Sequence, residues 1–166
     1  MKVYISGKIG EEVISEATRQ GFAKAEEMLK AKGYEVENPA SGKYQANMNF
    51  DIKNCQLNRL SFCMPFNKLA EIMMYDFYKI KDCDYVYMLS HWHISHGASL
   101  EHDFAEYIGV NILYQDADDA IAYLERRLMR EIIASKEPVD LDSKEYKKRE
   151  RGYVYRHLNE VWLQIE

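Results

Sequence analysis

Four short runs of strand composition, Lys2–Ser6, Tyr34–Val36, Tyr85–Leu89 and Val110–Tyr114, are separated by segments whose apolar residues recur at helical spacing. This alternation narrows the fold more than any other feature. Parallel strands need long crossovers, and a helix that packs back onto a twisted sheet does so with right-handed connectivity. The expectation is an α/β chain: a Rossmann-like or flavodoxin-like three-layer sandwich on a mostly parallel sheet of four or five strands. The pattern assigns residues 1–135 to that domain and residues 136–166 to a C-terminal helical extension. Leu158, Val161, Trp162 and Ile165 give the extension an apolar stripe, to be packed on the same domain or on a partner subunit.

The first helix is expected to bury Ile14, Ala17, Gly21, Ala25 and Met28 and to stop at Gly33. A second helix from Leu69 to Lys81 offers Ile72, Tyr75 and Ile80 to the sheet, with Met73 and Met74 read as core. Another, from Ala98 to Ile108, carries Leu100, Phe104 and Ile108 on one stripe. The last helix of the domain begins at Asp116 and Asp118, acids that suit a helix start, and continues with Ile121, Leu124, Leu128 and Ile132. Ser41–Pro65 is the least regular stretch. Asn47, Asn49, Asn54 and Asn58 interrupt its hydrophobics, so it reads as a long loop with at most one short helix, a lid or a subunit contact.

The chain has 166 residues, enough for one sizeable core, and a formal net charge of -5, which argues against a nucleic-acid polymer as partner. No apolar run approaches the ~20 residues of a membrane helix, and the N-terminus enters a strand directly, so neither a membrane partner nor a signal peptide is expected. Cys55, Cys63 and Cys83 are odd in number and lack metal spacing, which favours reduced thiols and a cytoplasmic location.

Chemistry is expected in Asp82–Glu101, where a strand leads into a polar, glycine-containing loop and then a helix with Glu101 in its first turn. In open α/β sheets, ligands bind at the carboxyl ends of strands. His91, His93, His96 and His102 suggest a metal, but the first three fall in the loop and no cysteine pair accompanies them, so no metal or cofactor is expected. Gly7-x-x-Gly10 is not a dinucleotide fingerprint, and no P-loop sequence is present.

Val3-Tyr4-Ile5-Ser6-Gly7-Lys8-Ile9 at the start, Asp76 eight residues before Asp84, and Ser95-x-Gly97-Ala98-x-x-Glu101 form an ordered set. Together they resemble the nucleoside 2-deoxyribosyltransferase superfamily. The resemblance is greatest to a branch with an MKVYISG start and a W-x-x-S-x-G-A-x-x-E box, and extends to the 2'-deoxynucleoside 5'-monophosphate N-glycosidases. It covers roughly residues 1–40 and 70–115. It implies that Glu101 is the nucleophile at the anomeric carbon, that Asp76 protonates the leaving base, and that Tyr4 positions nucleophile or sugar. It further implies a substrate site built from Ser6, Gly7, Lys8, Ile9, Trp92, Ser95, Gly97 and Ala98, with Trp92 a lid over the base or an interface aromatic. Ser95 falls where the monophosphate enzymes set a serine against the 5'-phosphate; Gly10 stands where they carry an arginine, leaving Lys8 as the nearby charge. The partners implied are a small deoxynucleoside or deoxynucleotide and further copies of the chain in a homo-oligomer.

The residues alone support the same chemistry. Breaking an N-glycosidic bond passes through an oxocarbenium-like state that a carboxylate stabilises and can trap. A helix N-terminus is expected to keep Glu101 ionised, and a neighbouring carboxylate to raise Asp76 so that it can donate a proton. Gly97 is expected to let the backbone approach the sugar. Two other functions stand beside this one: a catalytically silent nucleotide-binding or regulatory module, and a glycohydrolase acting on another nucleotide such as NAD.

Overall fold

A computed structural model describes residues 1–9, 13–59 and 68–135. In chain order the elements are β1 (Lys2–Ser6), α1 (Glu16–Ala31), β2 (Glu35–Glu37), α2 (Gly42–Arg59), α3 (Lys68–Ile80), β3 (Tyr85–Met88), a 3-10 turn (Trp92–Ile94), α4 (His96–Ile108), β4 (Asn111–Tyr114) and α5 (Ala117–Ser135). The four strands form one all-parallel sheet in the order β2-β1-β3-β4. The protein is thus α/β and of the Rossmann-like or flavodoxin-like kind. β3 lies inside the sheet, with Tyr4 opposite Val86 on one side and Val86 opposite Ile112 on the other. From β1 the chain first moves outward to β2 and later returns to β3 on the other side. The switch point therefore lies between β1 and β3, where an open sheet offers a ligand crevice.

The chain divides into two units, Met1–Gln115 and Asp116–Glu166. The first contains the whole sheet. In the second, α5 is described; Asp116 accepts from the Asp118 N–H at 2.9 Å at its start, and Ala120, Leu124 and Leu128 are buried. The expected extension, residues 136–166, lies outside the described residues, as do Gly10, Cys63 and the side chains of Cys55 and Ile132.

Alternation along β1 organises the first unit. Val3 and Ile5 face α1 and pack with Phe22, Ala25, Leu29, Ala40 and Leu89. Tyr4 and Ser6 point the other way, towards α4 and α2. All four are fully buried. The α1 stripe therefore differs from the expected one: Phe22, Ala25 and Leu29 are its buried row, whereas Ala17 and Gly21 are exposed. Its stop is as expected. Gly33 takes a left-handed φ of 86°, and the Tyr34 N–H reaches back to the Leu29 carbonyl at 3.1 Å.

Two further expectations are corrected. Ser41–Pro65 is not a long loop: eighteen residues of it form α2, begun by the Ser41 hydroxyl, which accepts from the Tyr44 N–H at 3.2 Å. On α4, Leu100 and Ile108 are exposed, and the buried row is Ala98, Glu101, His102 and Ala105. A helix that lies close to a sheet puts its small residues at the contact. On α3 the buried residues include Tyr75, Asp76 and Ile80, while Met74 is exposed rather than core.

Candidate active site

Four elements of the first unit bring side chains to one buried cluster. β1 contributes Tyr4 and Ser6, α2 contributes Tyr44, α3 contributes Asp76 and α4 contributes Glu101. The Tyr4 hydroxyl donates to Oε1 of Glu101 at 3.0 Å, and the Ser6 hydroxyl donates to Oε2 in a short hydrogen bond. Each oxygen of Glu101 is thereby held by one strand residue two positions from the other, because both point to the same face of the sheet. The Tyr44 hydroxyl donates to Oδ1 of Asp76 at 2.6 Å. Its ring stands edge-on to Tyr4 at 6.4 Å and to Tyr75 at 5.4 Å.

Glu101 is 6% exposed and Asp76 7%. Burial pushes the Glu101 carboxyl up to about 8; the charge of Asp76 adds to this, and the bonds from Ser6 and Tyr4 oppose it. Burial likewise raises Asp76 to about 6, against the bonds from Tyr44 and Tyr4. The two carboxyls titrate as one interacting pair, and burial holds both above the ordinary carboxylate range. The expectation that Glu101 sits in the first turn of its helix is corrected. α4 begins at His96 behind its cap Ser95, so Glu101 lies past the first turn, and desolvation outweighs the dipole. Burial also raises both phenols, Tyr4 and Tyr44, so they stay neutral donors.

The expected substrate residues divide into several groups. Ser6 sits in the cluster, but its hydroxyl serves Glu101. Gly7 is packed: a Cβ there would lie 2.9 Å from Leu89 Cδ1 and 3.1 Å from Phe22 Cζ. Ile9 packs against the α1-side core, and Lys8 is exposed. Ser95 caps α4 by accepting from the Ala98 N–H at 3.4 Å, and Ala98 itself is buried. At Gly97 a Cβ would meet Met73 Sδ at 3.7 Å, an ordinary contact, so packing alone does not demand glycine there.

Trp92 is not an exposed lid. It is 1% exposed and stacks on His102 with ring centroids 4.5 Å apart. His102 Nε2 lies 2.7 Å from the Tyr114 hydroxyl, which ties α4 to β4. Just before this turn His91 takes a left-handed φ of 62°, a strained backbone for a residue with a Cβ, and turns the chain away from the end of β3. Among the described residues, His102, Asp103 and Glu106 bring metal-ligand atoms within 4.8 Å of one another, but the two acids are exposed and His102 is already held by Tyr114. Among the described residues no helix is long and apolar enough to cross a membrane.

Tyr44 was not foreseen. Its signal was the pair Tyr44 and Met48, one helical turn apart and both buried, behind the cap Ser41. The surrounding asparagines, weak helix formers, hid that spacing.

A family model described as Domain of unknown function (DUF4406) matches residues 1–114, nearly the whole of the first unit and all of the cluster. No curated protein and no solved structure matches the chain.

Proposed function

The chain belongs to the DUF4406 family, and we propose that Glu101 and Asp76 cleave or transfer the N-glycosidic bond of a 2'-deoxynucleoside or its 5'-monophosphate. The observation that carries this reading is the buried pair of carboxyls, Glu101 gripped at both oxygens by Tyr4 and Ser6 and Asp76 held by Tyr44. Two carboxyls whose roles are separated by environment are what glycosidic chemistry needs. The likeness of the opening strand and the S-x-G-A-x-x-E box to the deoxyribosyltransferases supports the choice of a deoxyribosyl substrate.

In this mechanism an oxygen of ionised Glu101 bonds to C1' of the sugar as the C1'–N bond breaks. The electron pair of that bond goes to the base nitrogen, and the proton of Asp76 goes to the base. A deoxyribosyl ester of Glu101 results. Water, or the nitrogen of a second base, then attacks C1', frees Glu101 and returns a proton to Asp76. The pair enters each turnover with one proton, and positive charge growing at C1' favours it on Asp76 rather than on Glu101. Tyr4 and Ser6, as neutral donors, stabilise the Glu101 anion in its leaving and attacking forms.

The test is incubation with each deoxynucleoside and deoxynucleotide, with and without an acceptor base. Free base without acceptor identifies a hydrolase, and a new nucleoside identifies a transferase. Glu101→Ala is expected to abolish turnover; full turnover in that variant excludes the nucleophile. For the monophosphate preference, Ser95→Asp is informative because aspartate also caps a helix. It is expected to keep the fold and to weaken monophosphates relative to nucleosides, by about one to two decades if Ser95 meets the phosphate. The homo-oligomer belongs to the same reading and is tested by sedimentation at micromolar concentration.

One observation favours a second reading. Glu101, with both oxygens already engaged by Tyr4 and Ser6, is a poor nucleophile, which suits a silent nucleotide-binding module. That module would bind nucleotide in calorimetry and release no base on long incubation.

A further inference from the structure

We propose that Tyr44 is a positioning residue for the acid of this site: its hydroxyl holds Asp76 by Oδ1, so that the acid proton is presented to the departing base on Oδ2. The inference rests on the N-glycosidic reading and adds to it a residue from α2, an element that reading does not otherwise use.

A carboxylic acid has one proton for two oxygens, and a donor fixed on one oxygen leaves the proton to the other. Tyr44 supplies such a donor at 2.6 Å and is only 4% exposed. Its phenol stays protonated because burial and the neighbouring Asp76 charge both oppose ionisation. The hydroxyl has little freedom to leave. The ring is confined edge-on between Tyr4, with 64° between planes, and Tyr75, with 83°.

The start of the helix is also anchored. The Ser41 hydroxyl caps the Tyr44 N–H at 3.2 Å, Gln45 Nε2 reaches the Pro39 carbonyl at 2.7 Å, and Arg19 Nη1 reaches the Ala40 carbonyl at 3.3 Å. Three ionisable groups act on Asp76 from the elements around it: Tyr44 from α2, Tyr4 from β1 and Glu101 from α4. The two tyrosines favour the Asp76 anion, whereas burial disfavours it. Removing the Tyr44 hydroxyl therefore raises the acid further and leaves its carboxyl free to turn.

The experiment compares two substrates in wild type, Tyr44→Phe, Asp76→Asn and the double variant. One is an ordinary purine 2'-deoxynucleoside, or its 5'-monophosphate where wild type prefers it, whose base needs a proton to leave. The other is its N7-methylated counterpart, whose base departs neutral. Tyr44→Phe is expected to lower kcat on the first about tenfold to a hundredfold and to lose far less on the second, since only the first depends on acid catalysis. The alkaline limb of its pH profile, where the acid loses its proton, is expected to move to higher pH, and the double variant to be no slower than Asp76→Asn.

Equal losses on both substrates, or a loss that adds to that of Asp76→Asn, would overturn the inference in favour of a merely structural Tyr44. If wild type acts on no deoxynucleoside or deoxynucleotide, with or without an acceptor base, the N-glycosidic reading itself has failed. Infrared titration of the protonated-carboxyl band, assigned to Asp76 by Asp76→Asn, then still tests the residue. A band that titrates at higher pH in Tyr44→Phe, with unchanged circular dichroism, is expected; an unmoved band overturns the inference.

Discussion

At the residue scale, Glu101 should cost the protein stability wherever it is ionised. Its folded value of about 8 lies above the ordinary carboxylate range, so the folded chain holds a proton that the unfolded chain has already released. Stability is therefore expected to fall as pH rises from the ordinary carboxylate range to about 8, with Asp76 contributing up to about 6. Glu101→Gln should flatten that fall and gain on the order of 1–3 kcal/mol at pH 8, with little gain at pH 5. Urea titrations at the two pH values check this, and an equal gain at both would contradict it. Gly7→Ala is expected to destabilise by about 1–3 kcal/mol, because the added methyl meets Leu89 and the rigid tip of Phe22; the urea midpoint reports it. Tyr4, Ser6, Asp76 and Glu101 were named from the sequence through the family resemblance that the opening strand, the S-x-G-A-x-x-E box and the Asp76–Asp84 spacing carry. The raised Glu101 carboxyl was not legible, since it depends on burial and on the charge of Asp76, which no local pattern encodes.

At the element scale, α4 is the helix on which the site depends, and its cap is a single hydroxyl. Ser95→Ala should cost about 1 kcal/mol by removing the acceptor for the Ala98 N–H, whereas Ser95→Asp should be nearly neutral. Denaturant midpoints of the two variants decide this, and equal losses would show that Ser95 does not cap. Ala105, fully buried in the same row as Glu101, should not tolerate a larger side chain. Ala105→Leu is expected to cost about 1–3 kcal/mol. The order and type of the strands and of α1, α3, α4 and α5 were legible, but the faces of α1 and α4 were assigned one residue away from the truth. Reading by bulk chose Leu100 and Ile108, whereas the approach to the sheet selects Ala98 and Ala105. α2 was illegible as a helix because its asparagines weaken the local signal and its long outer face carries none.

At the scale of the whole molecule, the cluster draws on β1, α2, α3 and α4, so it should not melt piecemeal. The near-ultraviolet signal of the buried tyrosines and the exchange protection of the β1 and β3 amides are expected to disappear in one transition. A tyrosine signal lost at lower denaturant would show the helices leaving the sheet on their own. The parallel sheet was implicit in the strand–helix alternation, but the strand order, and with it the switch point between β1 and β3, was not, because sequence pattern does not say which neighbour a strand chooses. β1 carries a last consequence. Its odd residues, Val3 and Ile5, serve the α1 core, and its even neighbours, Tyr4 and Ser6, serve Glu101. A frame error of one position would turn both sets over, setting methyl groups against a carboxylate and hydroxyls into oil. A misthreaded first strand thus has no chemistry to offer, and a competent Glu101 certifies that the strand was laid down in phase.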